Sequence, residues 1–130
     1  MNISEKNQYY IKIFHELDDP ASQAEYLMML GMKKRDDSKL HRDSFRIAGC
    51  KTGIWIDGQE TDGIVQFKSD SDSLLVKGVL YIFEDLYQGG TKKIIKENPP
   101  AFLAAISDDV IYPEIKNNGL LKCCQKMLHF

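Results

Sequence analysis

The amino-acid sequence predicts an α+β domain in which helices cover one face of a three-stranded antiparallel sheet. Apolar residues recur at helical spacing near the start of the chain and again throughout its second half. In the stretch between, apolar and polar residues alternate as they do in half-buried strands. A group of strands set between groups of helices is typical of α+β domains. Single strands that alternate with helices would instead favour a parallel sheet.

Composition indicates one globular domain over residues 1–130, with 43% hydrophobic and 28% charged residues. The net charge of −2 gives no basic excess, so nucleic acid and anionic lipid are disfavoured as partners. No segment approaches the roughly 20 apolar residues that a membrane span needs. The first ten residues are polar, unlike a signal peptide. We therefore expect a cytoplasmic protein that does not act at a membrane.

Two helices are predicted before residue 34. The break between them falls at Asp18-Asp19-Pro20, because proline is favoured at the first position of a helix. Gly31 suits the end of the second helix, near Lys33, and the charged residues 34–43 should form a solvated loop. The apolar stripe of the first helix comprises Tyr10, Ile13, Phe14 and Leu17, and that of the second Ala24, Leu27 and Met28.

Three strands are predicted at residues 44–48, 54–56 and 64–68, where the period of the apolar residues is two. Asp57-Gly58 and Asp62-Gly63 are turn sequences, so the last two strands should form a hairpin. This order places Cys50 in the connection between the first two strands. A side chain there can project from a backbone that is held on both sides.

The second half should be helical. Residues 70–73 supply capping side chains, with Asp70 and Asp72 as candidates, for an apolar helix that ends before Gly89-Gly90. Thr91 can cap a short helix, and Asn98-Pro99-Pro100 ends that helix and starts another. A last helix should begin near Asn117. Its apolar face comprises Leu120, Cys124, Met127 and Leu128, with Lys122 and Lys126 turned away.

The three cysteines are Cys50 and the adjacent pair Cys123 and Cys124. An odd number without a disulfide framework suits a reducing compartment. Cys124 should belong to the core and Cys123 to the edge of the last helix, whereas an arbitrary loop cysteine such as Cys50 is most often a small buried hydrophobe. There is no Cys-x-x-Cys sequence and no histidine at ligand spacing, so we expect no metal and no cofactor.

Several segments resemble the SufE family in the same order along the chain, over about residues 11–127. Glu25 to Gly31 is similar to the second helix of the family, which ends in Leu-Gly. The other matching segments are Ala48-Gly49-Cys50-Lys51-Thr52-Gly53-Ile54-Trp55-Ile56, the Asp-Ser-Asp stretch from Ser69 to Val79 with its Lys77-Gly78, and Asn118-Gly119-Leu120.

The resemblance implies an α+β fold of the SufE/NifU type and a covalent sulfur carrier that is not an enzyme acting alone. Family members accept sulfane sulfur on the cysteine of the Gly-Cys motif, here Cys50. The sulfur comes from the persulfide of a pyridoxal-phosphate-dependent cysteine desulfurase of the SufS type. It then passes to an iron–sulfur scaffold complex.

The residues themselves suit this chemistry, because sulfur transfer needs an accessible loop thiol that no neighbouring thiol can trap as a disulfide. Positive charge on Arg46, Lys51 and His41 would favour a thiolate at Cys50. A carrier also gains from sheltering the thiol, so we expect Cys50 to be largely buried in the free chain, with Trp55 helping to form an apolar pocket.

The sequence departs from the family pattern at two places. Lys51-Thr52-Gly53 replaces polar residues that are commonly Gln-Ser-Gln, and Lys116 replaces an arginine before Asn-Gly-Leu. A lysine cannot reproduce the bidentate geometry of an arginine, so these changes bear on partner recognition. Two alternatives stay open. One is an iron- or zinc-binding assembly scaffold of the IscU/NifU type, and the other is a non-catalytic regulatory module of the same fold.

Overall fold

The computed structural model describes all 130 residues. Six α-helices and two β-strands follow one another along the chain. They are α1 (Ile3–Glu16), α2 (Pro20–Lys33), β1 (Ile54–Thr61), β2 (Ile64–Ser71), α3 (Leu74–Tyr87), α4 (Lys92–Glu97), α5 (Pro113–Ile115) and α6 (Leu121–Met127), with 3₁₀ turns at Ser38–Leu40 and Ala101–Ala105 and a π turn at Lys116–Leu120.

The sheet has two strands, so the prediction of three strands is wrong although the α+β class is confirmed. β1 and β2 pair antiparallel, in a register that runs from Ile54 opposite Ser71 to Thr61 opposite Ile64. The predicted strand at residues 44–48 contributes one isolated bridge to β1. Residues 44–48 therefore lie beside β1 without forming a ladder.

Turns on both sides prevent residues 44–48 from extending into a strand. The amide nitrogens of Phe45 and Arg46 donate backwards to the carbonyl oxygens of Arg42 and Asp43, at 3.0 and 3.2 Å. Gly49 follows with a φ of 84°, a left-handed conformation incompatible with a strand. The alternating sequence pattern could not reveal these turns, because they use the same backbone groups that a strand would pair.

The core contains the inward side of the sheet and the apolar faces of the helices. Ile54 and Ile56 from β1 and Val65 and Phe67 from β2 are all buried in it. Helix α3 is buried on most of its circumference, as its sequence predicted. Helix α2 packs closely on α3, because a Cβ atom at Gly78 would overlap the backbone of α2. No helix is long and apolar enough to cross a membrane.

The predicted start of α2 at Pro20 and the predicted Thr91 cap of α4 are confirmed, and the predicted caps of α3 are wrong in part. Asp19 accepts a hydrogen bond from the amide of Ser22 with Pro20 at the first helical position, and Thr91 caps α4. The cap of α3 is Ser73, whose Oγ accepts from the Val76 amide at 3.3 Å. Asp70 and Asp72 do not cap α3, because β2 continues through Ser71 and leaves only Ser73 at the helix start.

Three further segments, at residues 34–43, 101–105 and 113–127, also differ from the prediction. Residues 34–43 are mostly exposed, but they contain a 3₁₀ turn with Leu40 buried, and Lys34 pairs with Glu84 of α3 at 2.7 Å. The helix predicted after Pro100 is a 3₁₀ turn. The last helical stretch begins at Pro113 rather than near Asn117, and a π turn precedes α6.

Candidate functional site

The candidate site is built on the loop of residues 48–53, which carries Cys50. The backbone is held on both sides of this loop. On one side the Ile47 amide donates to the Ile54 carbonyl oxygen at 2.8 Å, and on the other the Asp72 amide donates to the Gly53 carbonyl oxygen at 3.2 Å. Gly49, at its positive φ, turns the chain so that Cys50 points back towards the core.

The Cys50 thiol is buried beneath its own loop, which confirms the predicted burial. Its exposed fraction is 6%, and it belongs to the main apolar cluster together with Ile54. Gly119, in the π turn, forms the floor: a Cβ atom there would lie 3.0 Å from the Cys50 Sγ atom and 2.8 Å from Ile54 Cδ1. A glycine at position 119 therefore makes room for the sulfur.

Trp55 does not form the apolar pocket that we predicted for Cys50. Successive side chains of a strand point to opposite faces, so Trp55 lies on the other side of β1 from Ile54. There the His41 ring stacks on the indole, with centroids 3.9 Å apart and planes 13° apart. The Arg46 guanidinium lies 5.6 Å from the indole centroid. Ile54 and Gly119 cover the thiol instead.

The Trp55 indole packs on Gly53, the residue that ends the Cys50 loop. A Cβ atom at Gly53 would overlap the indole ring and would lie 2.7 Å from Asp72 Oδ2. Side chains at the end of β2 and directly after it also hold the Gly53 backbone. Ser71 Oγ donates to the Gly53 carbonyl oxygen at 2.6 Å, and the Gly53 amide donates to Asp72 Oδ1 at 3.1 Å. The glycine at position 53, which departs from the family pattern, therefore leaves the space that the Trp55 indole occupies.

A buried carboxylate holds the His41 ring against Trp55. Asp70, which is 1% exposed, accepts hydrogen bonds from His41 Nε2 at 2.6 Å and from the Asp37 amide at 3.2 Å. Its other oxygen lies 3.8 Å from Lys77 Nζ. This group, predicted as a helix cap, instead ties residues 37–41 to the outer face of the sheet.

Four basic residues lie on the Cys50 loop or near it, and we call them the cationic rim: Arg46, Lys51, Lys122 and Lys126. Arg46 Nη2 donates to the Lys51 carbonyl oxygen at 3.4 Å. Lys122 Nζ donates to the Ala48 carbonyl oxygen at 3.2 Å. Lys126 Nζ lies 3.3 to 3.5 Å from the carbonyl oxygens of Ser44, Phe45 and Ile56. The chain thus concentrates positive charge at the surface above a sulfur atom that is itself in apolar surroundings.

Cys123 and Cys124 lie on α6 and form no disulfide. Cys123 is fully buried rather than at the helix edge as predicted, whereas the core position predicted for Cys124 is confirmed. Burial raises the pKa of the Cys123 thiol to about 12 and that of Cys124 well above its usual value. Both thiols therefore stay protonated at neutral pH, and a protonated thiol is a poor nucleophile.

Lys116, the second departure from the family pattern, is buried at the start of the π turn. Its Nζ atom donates to the Ile106 carbonyl oxygen at 2.5 Å and to Asp108 Oδ1 at 3.0 Å. Lys116 thereby fastens the turn that carries Gly119. No group of three or more His, Cys, Asp or Glu side chains is arranged to hold a metal ion.

Three residues at the site were not identified from the sequence. One is Lys126, which was assigned to the solvent face of the last helix but bonds to carbonyl oxygens of β1 and of the segment before the loop. Gly119 was recognised only as part of a motif and Lys122 was assigned to the solvent face of the last helix, yet both contact the Cys50 loop. A glycine inside a helical pattern lowers helix stability by about 1 kcal/mol relative to alanine and so indicates a close approach of another group. For Lys122 the sequence carried no such signal.

Both the sequence and the fold of the chain are similar to those of known proteins. A family model described as SufE, Fe-S metabolism associated domain, matches residues 8–129. The chain is 26% identical over 124 residues to SufE-like protein 1, chloroplastic/mitochondrial, of Arabidopsis thaliana, a match that covers 94% of this chain and 33% of that protein. It is 27% identical over 120 residues to an uncharacterized SufE-like protein of Synechocystis, with coverage of 90% and 74%.

A third relative is the cysteine desulfuration protein SufE of Plasmodium vivax, which is 26% identical over 136 residues, with coverage of 99% of this chain and 54% of that protein. This chain thus spans a third of the plant relative and about half of the Plasmodium relative. A solution structure of a hypothetical protein from Thermus thermophilus superposes with a TM-score of 0.68 at 15% identity, covering 95% of this chain and 91% of that one. This similarity concerns the fold alone.

Proposed function

This chain belongs to the SufE family, and on that premise we propose that it is a sulfur acceptor that works with a cysteine desulfurase. Cys50 takes sulfane sulfur from the persulfide of a pyridoxal-phosphate-dependent desulfurase of the SufS type. The sulfur then passes to an iron–sulfur scaffold complex. The protein is a covalent carrier, and the chemistry that releases sulfur from free cysteine belongs to its partner.

The observation that carries this proposal is the contrast between one loop thiol and two helical thiols. Cys50 follows Gly49 in a loop whose neighbours Ala48 and Lys51 are exposed, so a local movement can bring the sulfur to the surface. The thiols of Cys123 and Cys124 are enclosed by α6 and its neighbours. A partner can reach only a thiol whose exposure leaves the fold intact.

The transfer step exchanges one sulfur–sulfur bond for another. The thiolate of Cys50 attacks the outer sulfur of the partner's persulfide, a new S–S bond forms on Cys50, and the S–S bond on the partner breaks. The partner's cysteine leaves as a thiolate and takes up a proton from solvent. No external oxidant or reductant is consumed, because the sulfane sulfur keeps its oxidation state.

Because Cys50 is buried, the carrier must alternate between a closed position of the loop, which covers the thiol, and an open position, which exposes it. In the closed position the apolar surroundings of the thiol keep oxidants and competing thiols away from it. In the open position the sulfur must travel outward past the loop backbone. Gly49 and Gly53 flank the moving segment, and glycine accepts the backbone changes that such a movement needs.

The test compares loading of the cysteine variants by a desulfurase supplied with its cofactor and free cysteine. Wild-type protein, Cys123→Ala and Cys124→Ala should gain the mass of one sulfur atom and should accelerate sulfide release under reducing conditions. Cys50→Ser should do neither, while melting cooperatively near the wild-type temperature. If Cys50→Ser protein accelerated sulfide release as well as the wild type does, the acceptor role would be excluded.

Docking of the partner should also open the loop. Iodoacetamide should label Cys50 faster when a desulfurase that lacks its own catalytic cysteine is present than when this chain is alone. Bovine serum albumin at the same concentration, with its own thiol blocked, serves as the control. Labelling that is equally fast with and without the desulfurase would mean that docking does not change the exposure of Cys50.

A further inference from the structure

Lys122 is the member of the cationic rim that touches the hinge of the Cys50 loop. Its Nζ atom donates to the carbonyl oxygen of Ala48 at 3.2 Å, and a Cβ atom at Gly49 would lie 3.0 Å from the same Nζ. Ala48 and Gly49 are the two residues directly before Cys50. The ammonium group is therefore held against the backbone about which the loop must turn.

The same helical stretch carries both the floor under the thiol and this ammonium group. Gly119, which receives the Cys50 sulfur, precedes Lys122 by three residues, and residues three apart are neighbours on a helix surface. Outward rotation of Cys50 from this apolar floor therefore turns about backbone that the ammonium contacts. Arg46 contacts the other side of the loop, at the Lys51 carbonyl oxygen, and Lys126 bonds to carbonyl oxygens outside the loop.

We propose that Lys122 is a positioning residue with two roles, which rest on the sulfur-acceptor function of Cys50. In the closed loop its bond to the Ala48 carbonyl oxygen latches the backbone over the neutral thiol. In the open loop its ammonium group lies beside the sulfur of Cys50 and stabilises negative charge there.

The charge on the Cys50 sulfur during transfer explains why a cation at this position is useful. The attacking group is the Cys50 thiolate and the product is a persulfide on Cys50, so the sulfur of Cys50 carries negative charge before and after the step. The sulfur thus leaves apolar surroundings and becomes anionic at the same time. A cation fixed at the exit lowers the energy of the open, charged form without stabilising the closed, neutral one.

The electrostatic role is tested by comparing an anionic alkylating reagent, iodoacetate, with the neutral iodoacetamide. The ratio of the two labelling rates at Cys50 reports the charge beside the exposed sulfur. Loop opening and thiolate fraction affect both reagents equally and cancel. Lys122→Met should lower the iodoacetate-to-iodoacetamide ratio about three-fold at low salt, because a unit charge a few ångströms away is being removed. Lys122→Arg should keep the wild-type ratio.

Lys93→Met is the matched control, because Lys93 is exposed on α4 and its replacement removes the same charge. Its ratio should equal that of the wild type, and added salt should shrink the difference between Lys122→Met and wild type. An unchanged ratio in Lys122→Met would overturn the electrostatic role. The latch predicts faster amide hydrogen exchange in the Cys50 loop of Lys122→Met, a readout that thiol ionisation does not enter, and unchanged or slower exchange would overturn that role.

Loading by the desulfurase provides the second readout. At low salt Lys122→Met should acquire sulfur about three-fold more slowly than wild type, and Lys122→Arg should acquire it at nearly the wild-type rate. Equal loading of Lys122→Met and wild type would overturn the role in transfer while leaving Cys50 as the acceptor. If the wild-type protein acquired no sulfur, the acceptor function itself would be excluded. The iodoacetate-to-iodoacetamide ratio does not depend on that function.

Discussion

The Cys50 loop and helix α6 bury their thiols to nearly the same extent but hold them by different means. The exposed fractions are 6% for Cys50, 0% for Cys123 and 9% for Cys124. Cys50 is covered by a loop of exposed residues that are flanked by glycines, whereas the other two belong to a helix whose inner face is part of the core. Burial alone therefore does not distinguish the loop thiol from the two helical thiols.

The difference lies in what must break before each sulfur meets solvent. Exposing Cys50 requires a few hydrogen bonds at the loop ends to open, including the bond from Lys122 to the Ala48 carbonyl oxygen. Exposing Cys123 requires α6 to leave the core, which removes apolar contacts throughout the domain. Local opening costs less free energy than global unfolding, so the element that carries a thiol decides its accessibility.

The largest expected effect is the difference in native-state labelling rate between the two sets of thiols. Cys50 should react with iodoacetamide at least about 100-fold faster than Cys123 at neutral pH, because global unfolding costs at least about 5 kcal/mol. Peptide mapping by mass spectrometry gives each rate separately. Equal rates at all three cysteines would mean that the loop opens only when the whole domain unfolds.

A methyl group added beneath the sulfur should disturb the Cys50 loop alone. Gly119→Ala places a Cβ atom 3.0 Å from the Cys50 sulfur and 2.8 Å from Ile54 Cδ1. Overpacking costs up to about 3 kcal/mol and the better helix propensity of alanine offsets about 1 kcal/mol, so the free energy of unfolding should fall by about 2 kcal/mol and Cys50 labelling should accelerate. The control is Asn118→Ala in the same turn, where the side chain is exposed. Unchanged stability in Gly119→Ala would show that the floor under the thiol is not tightly packed.

Alkaline pH should destabilise the domain through the α6 thiols. The pKa of Cys123 is raised by burial to about 12, whereas an unfolded thiol ionises near pH 8.5. The stabilising contribution of the protonated thiol is complete below about pH 8.5 and is lost as the pH rises towards 12, because only the unfolded state releases the proton in this window. At about pH 10 the loss should be about 2 kcal/mol.

Urea unfolding of wild-type and Cys123→Ala protein at neutral pH and at about pH 10 measures this loss. Wild type should lose about 2 kcal/mol more than the variant between the two conditions. Burial also raises the pKa of Tyr10 and Tyr87, and these tyrosines contribute equally to both proteins. Identical losses would contradict the enclosed position of Cys123.

The smallest expected effect concerns the second hinge of the loop. Ser71→Ala removes the bond from Ser71 Oγ to the Gly53 carbonyl oxygen, which should make loop opening easier by about 1 kcal/mol and Cys50 labelling about five-fold faster. Ser22→Ala, which removes a serine hydrogen bond at the start of α2, is the control. It should leave the labelling rate of Cys50 unchanged. Equal labelling of Cys50 in Ser71→Ala and wild type would exclude Gly53 as a hinge.

The helices were predictable because their signals are local. The apolar spacing in α1 to α3, the proline and aspartate at the start of α2 and the threonine cap of α4 depend only on residues within a few positions of each other. The third strand was predicted wrongly because pairing involves distant backbone groups. Turns at Phe45 and Arg46 already use the backbone groups that a longer ladder would need.

The sequence predicted one residue of the candidate site, Cys50, but not the residues around it. Cys50 stood out because its flanking sequence resembles the SufE pattern. Trp55 was assigned to the wrong side of the strand, since a large apolar residue next to the site gave no indication of the His41 ring and the Arg46 guanidinium that cover it. Asp70 was mistaken for a cap because nothing near it in sequence shows that β2 extends through Ser71.

The sequence by itself determined the α+β class, most of the helices and the identity of the candidate acceptor thiol. Only the tertiary structure decided which atoms lie beneath that thiol and against its loop, because Gly119 and Lys122 are separated from Cys50 by about half of the chain. Helix periodicity and caps are set by neighbours along the chain. The floor, the latch and the charge at a loop depend on packing between distant segments, which no local pattern encodes.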